Sequence, residues 1–137
     1  MKLKAPILSV FFCTTLFSCA STVNIPQNAT SAQLIQLGQD ALYSSRYSTA
    51  ETYYTAVIKR YGMDISTYIE ATYELGHLYL KQKKYEAAYQ KFDEIISTFE
   101  NAEPGVIPAA YKKLASMGIE KIPEKYRRLV WKNVLVG

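Results

Sequence analysis

The chain has 137 residues, 49% of them hydrophobic and 20% charged, with a formal net charge of +4. That balance excludes an intrinsically disordered chain and a multi-span membrane protein, and the length suffices for one domain. Tyrosine is over-used, with 12 residues against one tryptophan; an apolar ring with a polar tip suits half-buried helix interfaces first and recognition surfaces second.

The N-terminus begins with Lys2 and Lys4, continues as an apolar run over 5–17 and closes on Leu16-Phe17-Ser18-Cys19. A positive start, a short apolar stretch and a small residue at its end predict an export signal over residues 1–18. The run is shorter than the ~20 residues a helical bilayer span requires. Leu, any residue, a small residue and then Cys resembles the lipobox of bacterial lipoproteins. Bulky Phe12 makes Cys13 a poor rival. The resemblance implies that Cys19 is acylated and becomes the lipid anchor; an ordinary signal peptide, or an uncleaved anchor, with a chance cysteine is the plainer alternative. Ala20, where an Asp would follow the acylated Cys in the usual sorting rule, implies an outer-membrane lipoprotein facing the periplasm rather than an inner-membrane one.

After such cleavage no free thiol would remain, so neither a disulfide, a thiolate metal site nor a cysteine nucleophile is expected. Without Lys2 and Lys4 the chain carries 14 basic and 12 acidic groups, a net of +2. That is not the balance of a nucleic-acid binder. The charge is uneven, with 7 basic and 10 acidic residues over 19–104 and 7 against 2 over 105–137.

Residues 19–29 are small, polar and interrupted by Pro26, and read as a lipidated tether. Thr30 and Gln33 have the spacing of a capping box, predicting a helix to about Ser44. A second helix is expected to open at Ser48, whose Ser48-x-x-Glu51 is another such box, and to close at Gly62. Its apolar stripe is Ala50, Tyr54, Val57, Ile58 and Tyr61. Two more helices are expected from about Thr67 to Lys81 and from Tyr85 to Phe99, with Gln82-Lys83-Lys84 as the turn. One constant shift of the sequence against itself superposes Leu37 on Leu75, Gly38 on Gly76, Leu42 on Leu80, Tyr47 on Tyr85, Ala50 on Ala88 and Ile58 on Ile96. Neither helical pair can bury its stripe alone, so two repeats (about 31–63 and 67–101, within 30–101) should stack as a short solenoid. Beyond Pro104-Gly105, Pro108 opens a helix over 109–117 that Gly118 stops, and Pro123 opens a last one over 124–134. Residues 102–137 thus read as C-terminal capping helices with a basic tail.

Leu37-Gly38…Tyr47-x-x-Ala50-x-x-x-Tyr54-x-x-Val57 and Leu75-Gly76-x-x-Tyr79…Tyr85-x-x-Ala88-x-x-x-Phe92-x-x-Ile95 resemble the tetratricopeptide repeat. The expected fold is therefore all-α, a tetratricopeptide-like helical-hairpin solenoid of about two repeats plus C-terminal capping helices. Ala41 replaces a usual Tyr, and neither repeat closes on its usual proline. The period is also longer than that family's, and the connection over 62–66 is expected to hold the extra residues. With the lipobox, the chain resembles tetratricopeptide lipoproteins of the outer-membrane β-barrel assembly type, although that family has about five repeats.

No Gly-rich phosphate loop, nucleophile elbow or Ser/His/Asp set stands out, so no enzyme, cofactor or metal is expected. His77, the sole histidine, lacks a ligand partner at i±4, and Glu70 and Glu74 form the kind of pair that helix surfaces carry routinely. Binding is what remains. The resemblance implies a concave groove lined by the first helix of each pair: Ile35, Gln39, Leu42 and Tyr43, then Tyr73, His77, Leu80 and Lys81. Leu42 and Leu80 read equally well as core. Such a groove suits an extended peptide or a helix, but lacks the Lys/Asn clamp that holds C-terminal carboxylates in some members. Lys125-Tyr126-Arg127-Arg128 is either a solvated face or a contact for anionic lipid or an acidic partner. The expected function is a protein-interaction scaffold of the outer membrane, with outer-membrane protein assembly as one setting and other envelope proteins or peptides in the groove. The alternatives are a ligand-binding accessory of a periplasmic transporter and a cell-division or cell-wall adaptor.

Overall fold

The protein is described here by a computed structural model, which covers residues 23–128. The export signal, Cys19 and the end of the last expected helix lie outside those residues. Among the described residues the chain is all-helical and packs as helical hairpins: α1 (Ser31–Tyr43), α2 (Tyr47–Tyr61), α3 (Ile65–Lys81), α4 (Tyr85–Asn101) and α5 (Ala109–Glu120). No helix among them is long and apolar enough to cross a membrane.

Helix starts follow two different rules. Thr30 caps α1 with the complete box expected from the sequence, its hydroxyl accepting from the Gln33 amide (3.2 Å) while Gln33 Oε1 accepts from the Thr30 amide (2.9 Å). Asp64 caps α3 by accepting from the Thr67 amide at 2.7 Å. α2 and α4 start instead at Tyr47 and Tyr85, behind Arg46 and Lys84, with no side-chain cap. The Ser48–Glu51 box therefore does not form, because the helix has already begun one residue earlier. Glu51 faces α3, where its Oε1 accepts from the Tyr79 hydroxyl at 2.7 Å.

The repeat shift holds for the backbone. Ser45 (φ 57°) and Lys83 (φ 59°) both turn into the left-handed region, and such a residue closes a helix by redirecting the chain. After them Arg46 N–H donates to Ala41 O (2.8 Å), and at the equivalent positions of the second repeat Lys84 N–H donates to Tyr79 O (2.9 Å). The connection after Tyr61 is shorter than expected, since α3 begins at Ile65, ahead of Thr67. The long period thus resides in longer helices and not in a long loop.

Small residues set the helix spacing. Ala50 and Ala88 are fully buried, and a Cβ added at Gly76 would come within 2.7 Å of the Phe92 ring. Gly118, expected to stop α5, lies inside that helix, and a Cβ there would meet the same ring at 2.5 Å. It is a close-approach glycine: its missing side chain lets α5 lie on α4. Pro108 stands one residue before α5, as its cap. α5 packs on α4 and touches α3, as α3 packs on α2 and touches α1. With residues 124–128 helical again after Pro123, α5 takes the place of the first helix of a further hairpin.

Two apolar cores result, with α3 between them. One joins α1 and α2 to Ala71, Leu75 and Leu78 of α3. The other joins Ile69 of α3 to Phe92 and Ile95 of α4, Ala115 of α5, and the flanking Ile107 and Ile122. The N-terminal segment is no free tether at its near end. Ala29 is buried, Ile25 packs on the first core, and the Tyr61 hydroxyl and Arg60 guanidinium donate to Ala29 O (2.5 Å) and Pro26 O (2.7 Å).

Candidate functional site: the face of α1, α3 and α5

The first helices of successive hairpins present one face, centred on α3. Glu74 is fixed from two directions: the Gln39 amide of α1 donates to its Oε1 at 2.9 Å, and the Tyr54 hydroxyl of α2 donates to its Oε2 at 3.3 Å. Both donors are neutral, so the carboxylate is held but not neutralised. Burial and the Glu74 charge raise the Tyr54 phenol far above its ordinary range, which keeps it a donor at any physiological pH.

Beside Glu74, Tyr73 and His77 stack at 6.3 Å with 14° between their planes, as residues four apart on a helix permit. Tyr73 also meets Phe92 of α4 at 6.0 Å and the edge of Tyr111 of α5 at 5.9 Å. Burial lowers the pKa of His77, helped by the charges of Lys81 and Lys121 and opposed by Glu74. The ring is therefore neutral near pH 7. Glu70 is half-buried, and burial followed by the nearby Glu74 raises its carboxyl above the usual range. Tyr111 is raised by burial and then by Glu70, Glu74 and Tyr73; Glu70, Tyr73, Glu74 and His77 recur at i, i+3, i+4 and i+7 on one side of α3, against which Tyr111 sets its ring.

The structure sorts the expected groove residues. Gln39, Tyr73 and His77 come together on this face, with Lys81 at its far end. Ile35 (4% exposed) and Leu42 (6%) do not line it: both belong to the first core, between α1 and α2. Leu80 is half-buried against the second core. Tyr43 stands 93% exposed at the end of α1.

Sequence reasoning gives no site role to Glu70, Glu74, Tyr54 or Tyr111. The two carboxylates match a routine surface pattern, and only the fold shows that one is pinned across three helices. Tyr111 does carry a signal, since it follows Tyr73 by the same interval that separates Tyr47 from Tyr85. Among the described residues no three His, Cys, Asp or Glu side chains are grouped to hold a metal ion.

No family model and no solved structure matches the chain. The chain is similar to an uncharacterized protein of Treponema pallidum (strain Nichols), at 32% identity over 119 residues that cover 85% of this chain and 46% of that protein. The chain thus spans about half the length of that relative.

Proposed function

We propose that this chain is a non-enzymatic interaction scaffold of the tetratricopeptide type, anchored in the outer membrane through a lipid on Cys19 and facing the periplasm. A segment of a partner envelope protein lies across the α1, α3 and α5 face. The observation that carries this reading is the patch of Gln39, Tyr73, His77 and Tyr111, in which half-buried aromatic and hydrogen-bonding groups come from the first helices of successive hairpins. Rigid, partly buried aromatics of this kind are the usual anchors of protein interfaces. The repeated turn geometry and the close contacts at Gly76 and Ala88 support the tetratricopeptide reading, and the lipobox supports the anchor. The resemblance makes barrel assembly the first machine in which to look for the partner.

A photo-crosslinking residue placed at Tyr111 in cells tests the proposal. It should trap a discrete envelope protein, and His77→Ala in the same background should weaken that product more than tenfold with the melting temperature nearly unchanged, since such an anchor is worth about 2 kcal/mol. The absence of any discrete product at Tyr111 removes the face from consideration, and undiminished crosslinks in a folded His77→Ala protein remove His77 from it. Cys19→Ala should abolish lipid labelling and leave the precursor uncleaved; labelling that survives it and vanishes in Cys13→Ala would move the anchor.

A further inference from the structure

Glu70 and Glu74 leave the interaction face with uncompensated negative charge. The ion pairs among the described residues, Lys91–Glu94 and Arg128–Glu124, involve neither of them. Glu74 is held by an amide and a phenol, which fix its position without supplying a countercharge. Glu70 has no hydrogen-bond partner among the described residues, although it is half-buried and close to Glu74. Leaving a partly desolvated carboxylate unpaired beside another is unfavourable in the free protein, and a cation arriving from outside would relieve it. The lysines near the patch, Lys81 and Lys121, act on His77 at its other end. On the same side of α3 Tyr73 follows Glu70 by three residues, and its ring meets the edge of Tyr111.

We propose that this face takes an arginine-bearing segment of the partner, whose guanidinium lies against the Tyr73 and Tyr111 rings and donates to the Glu70 carboxylate, with Glu74 beside it. This rests on the interaction reading above and names the chemistry of its partner. Arginine fits better than lysine because a planar guanidinium stacks on aromatic faces and donates two parallel hydrogen bonds to one carboxylate, whereas an ammonium is a strongly hydrated point charge. The side-chain carbonyl of Gln39 and the ring of His77 remain to bind backbone amides on either side.

The test is a titration of the full-length isotope-labelled protein in detergent micelles, followed by NMR. The probes are acetyl-Gly-Arg-Gly-amide and its citrulline analogue, which keeps the shape and loses the charge. Saturable shifts at residues 70–77 and 111 are expected with the arginine peptide, and binding at least tenfold weaker with citrulline. Glu70→Gln should lower arginine affinity at least tenfold. Glu70→Lys should reverse the preference toward acetyl-Gly-Glu-Gly-amide. Equal binding of arginine and citrulline, or unchanged affinity in a folded Glu70→Gln, overturns the proposal. The crosslinker at Tyr111 separates the two readings: products that persist at full yield in Glu70→Gln refute the charge inference and leave the interaction face standing, whereas the absence of any product at Tyr111 refutes the face itself.

Discussion

At the scale of single residues, side chains are chosen here for what they let neighbours do. Phe92 is enclosed by Gly76 of α3 and Gly118 of α5, and neither position has room for a Cβ. Replacing an interior helical glycine by alanine normally gains up to about 1 kcal/mol from propensity. At these two positions overpacking should win, at a cost of about 1–3 kcal/mol each; urea unfolding that shows either variant more stable than the parent would refute the packing. The tyrosines are explained in the same way. Tyr54, Tyr68 and Tyr79 set their rings between helices while their hydroxyls donate to Glu74, Glu94 and Glu51, so these three bridge one helix to another. Glu70 gives a prediction with a definite sign. Its folded-state carboxyl is raised, so the charged form opposes folding, and its favourable contribution exists at low pH and is lost as pH rises through the raised value. Glu70→Gln should therefore stabilise the protein slightly at pH 7, by less than about 1 kcal/mol given solvent screening. That gain should vanish as the pH falls through the carboxylate range; a variant less stable than the parent at pH 7 would mean that Glu70 has a partner.

At the scale of helices, what is legible in the sequence depends on how local its cause is. Thr30 and Gln33 are close neighbours on one turn and form their box regardless of the rest of the chain. Ser48 and Glu51 have the same spacing, yet Arg46 N–H binding to Ala41 O starts α2 early, and Tyr79 of α3, in the next hairpin, draws Glu51 away. The two boxes should thus respond differently to alanine. Thr30→Ala is expected to cost about 1 kcal/mol, whereas Ser48→Ala should be neutral or gain a few tenths from helix propensity; equal losses in thermal unfolding would contradict the assigned start of α2. Gly118 misleads for a related reason. A glycine near the end of an apolar stripe signals a helix stop, and only the position of Phe92 on a different helix reveals that it marks a contact. For the site, Tyr73 and His77 can be placed by repeat register alone. Glu74 cannot, because its role depends on Gln39 and Tyr54, donors that belong to two earlier helices.

At the scale of the molecule, the two cores make stability a matter of neighbours. α3 gives Leu75 and Leu78 to the first core and Ile69 to the second, and Tyr79 packs against both. Stacked hairpins that touch only their neighbours behave as coupled units, each with its own stability and an interface term, whereas a single-core globule of this size unfolds as a whole. The two architectures differ in how damage spreads. Ile122, which is 1% exposed, secures the end of α5 in the second core, and Leu34, fully buried, sits in the first. Truncating either to alanine should cost about 2–5 kcal/mol where it packs. Native-state hydrogen exchange reads where that loss is felt. In Ile122→Ala the amides of α5 should lose protection first, those of α4 less, and those of α1 and α2 least; in Leu34→Ala the order should reverse, with α1 and α2 opening before α4. The α1, α3 and α5 face would then be loosened from either end while α3 stays the last helix to open. Uniform loss of protection along the chain in both variants would show one cooperative core, and the hairpins could not then be treated as separable units.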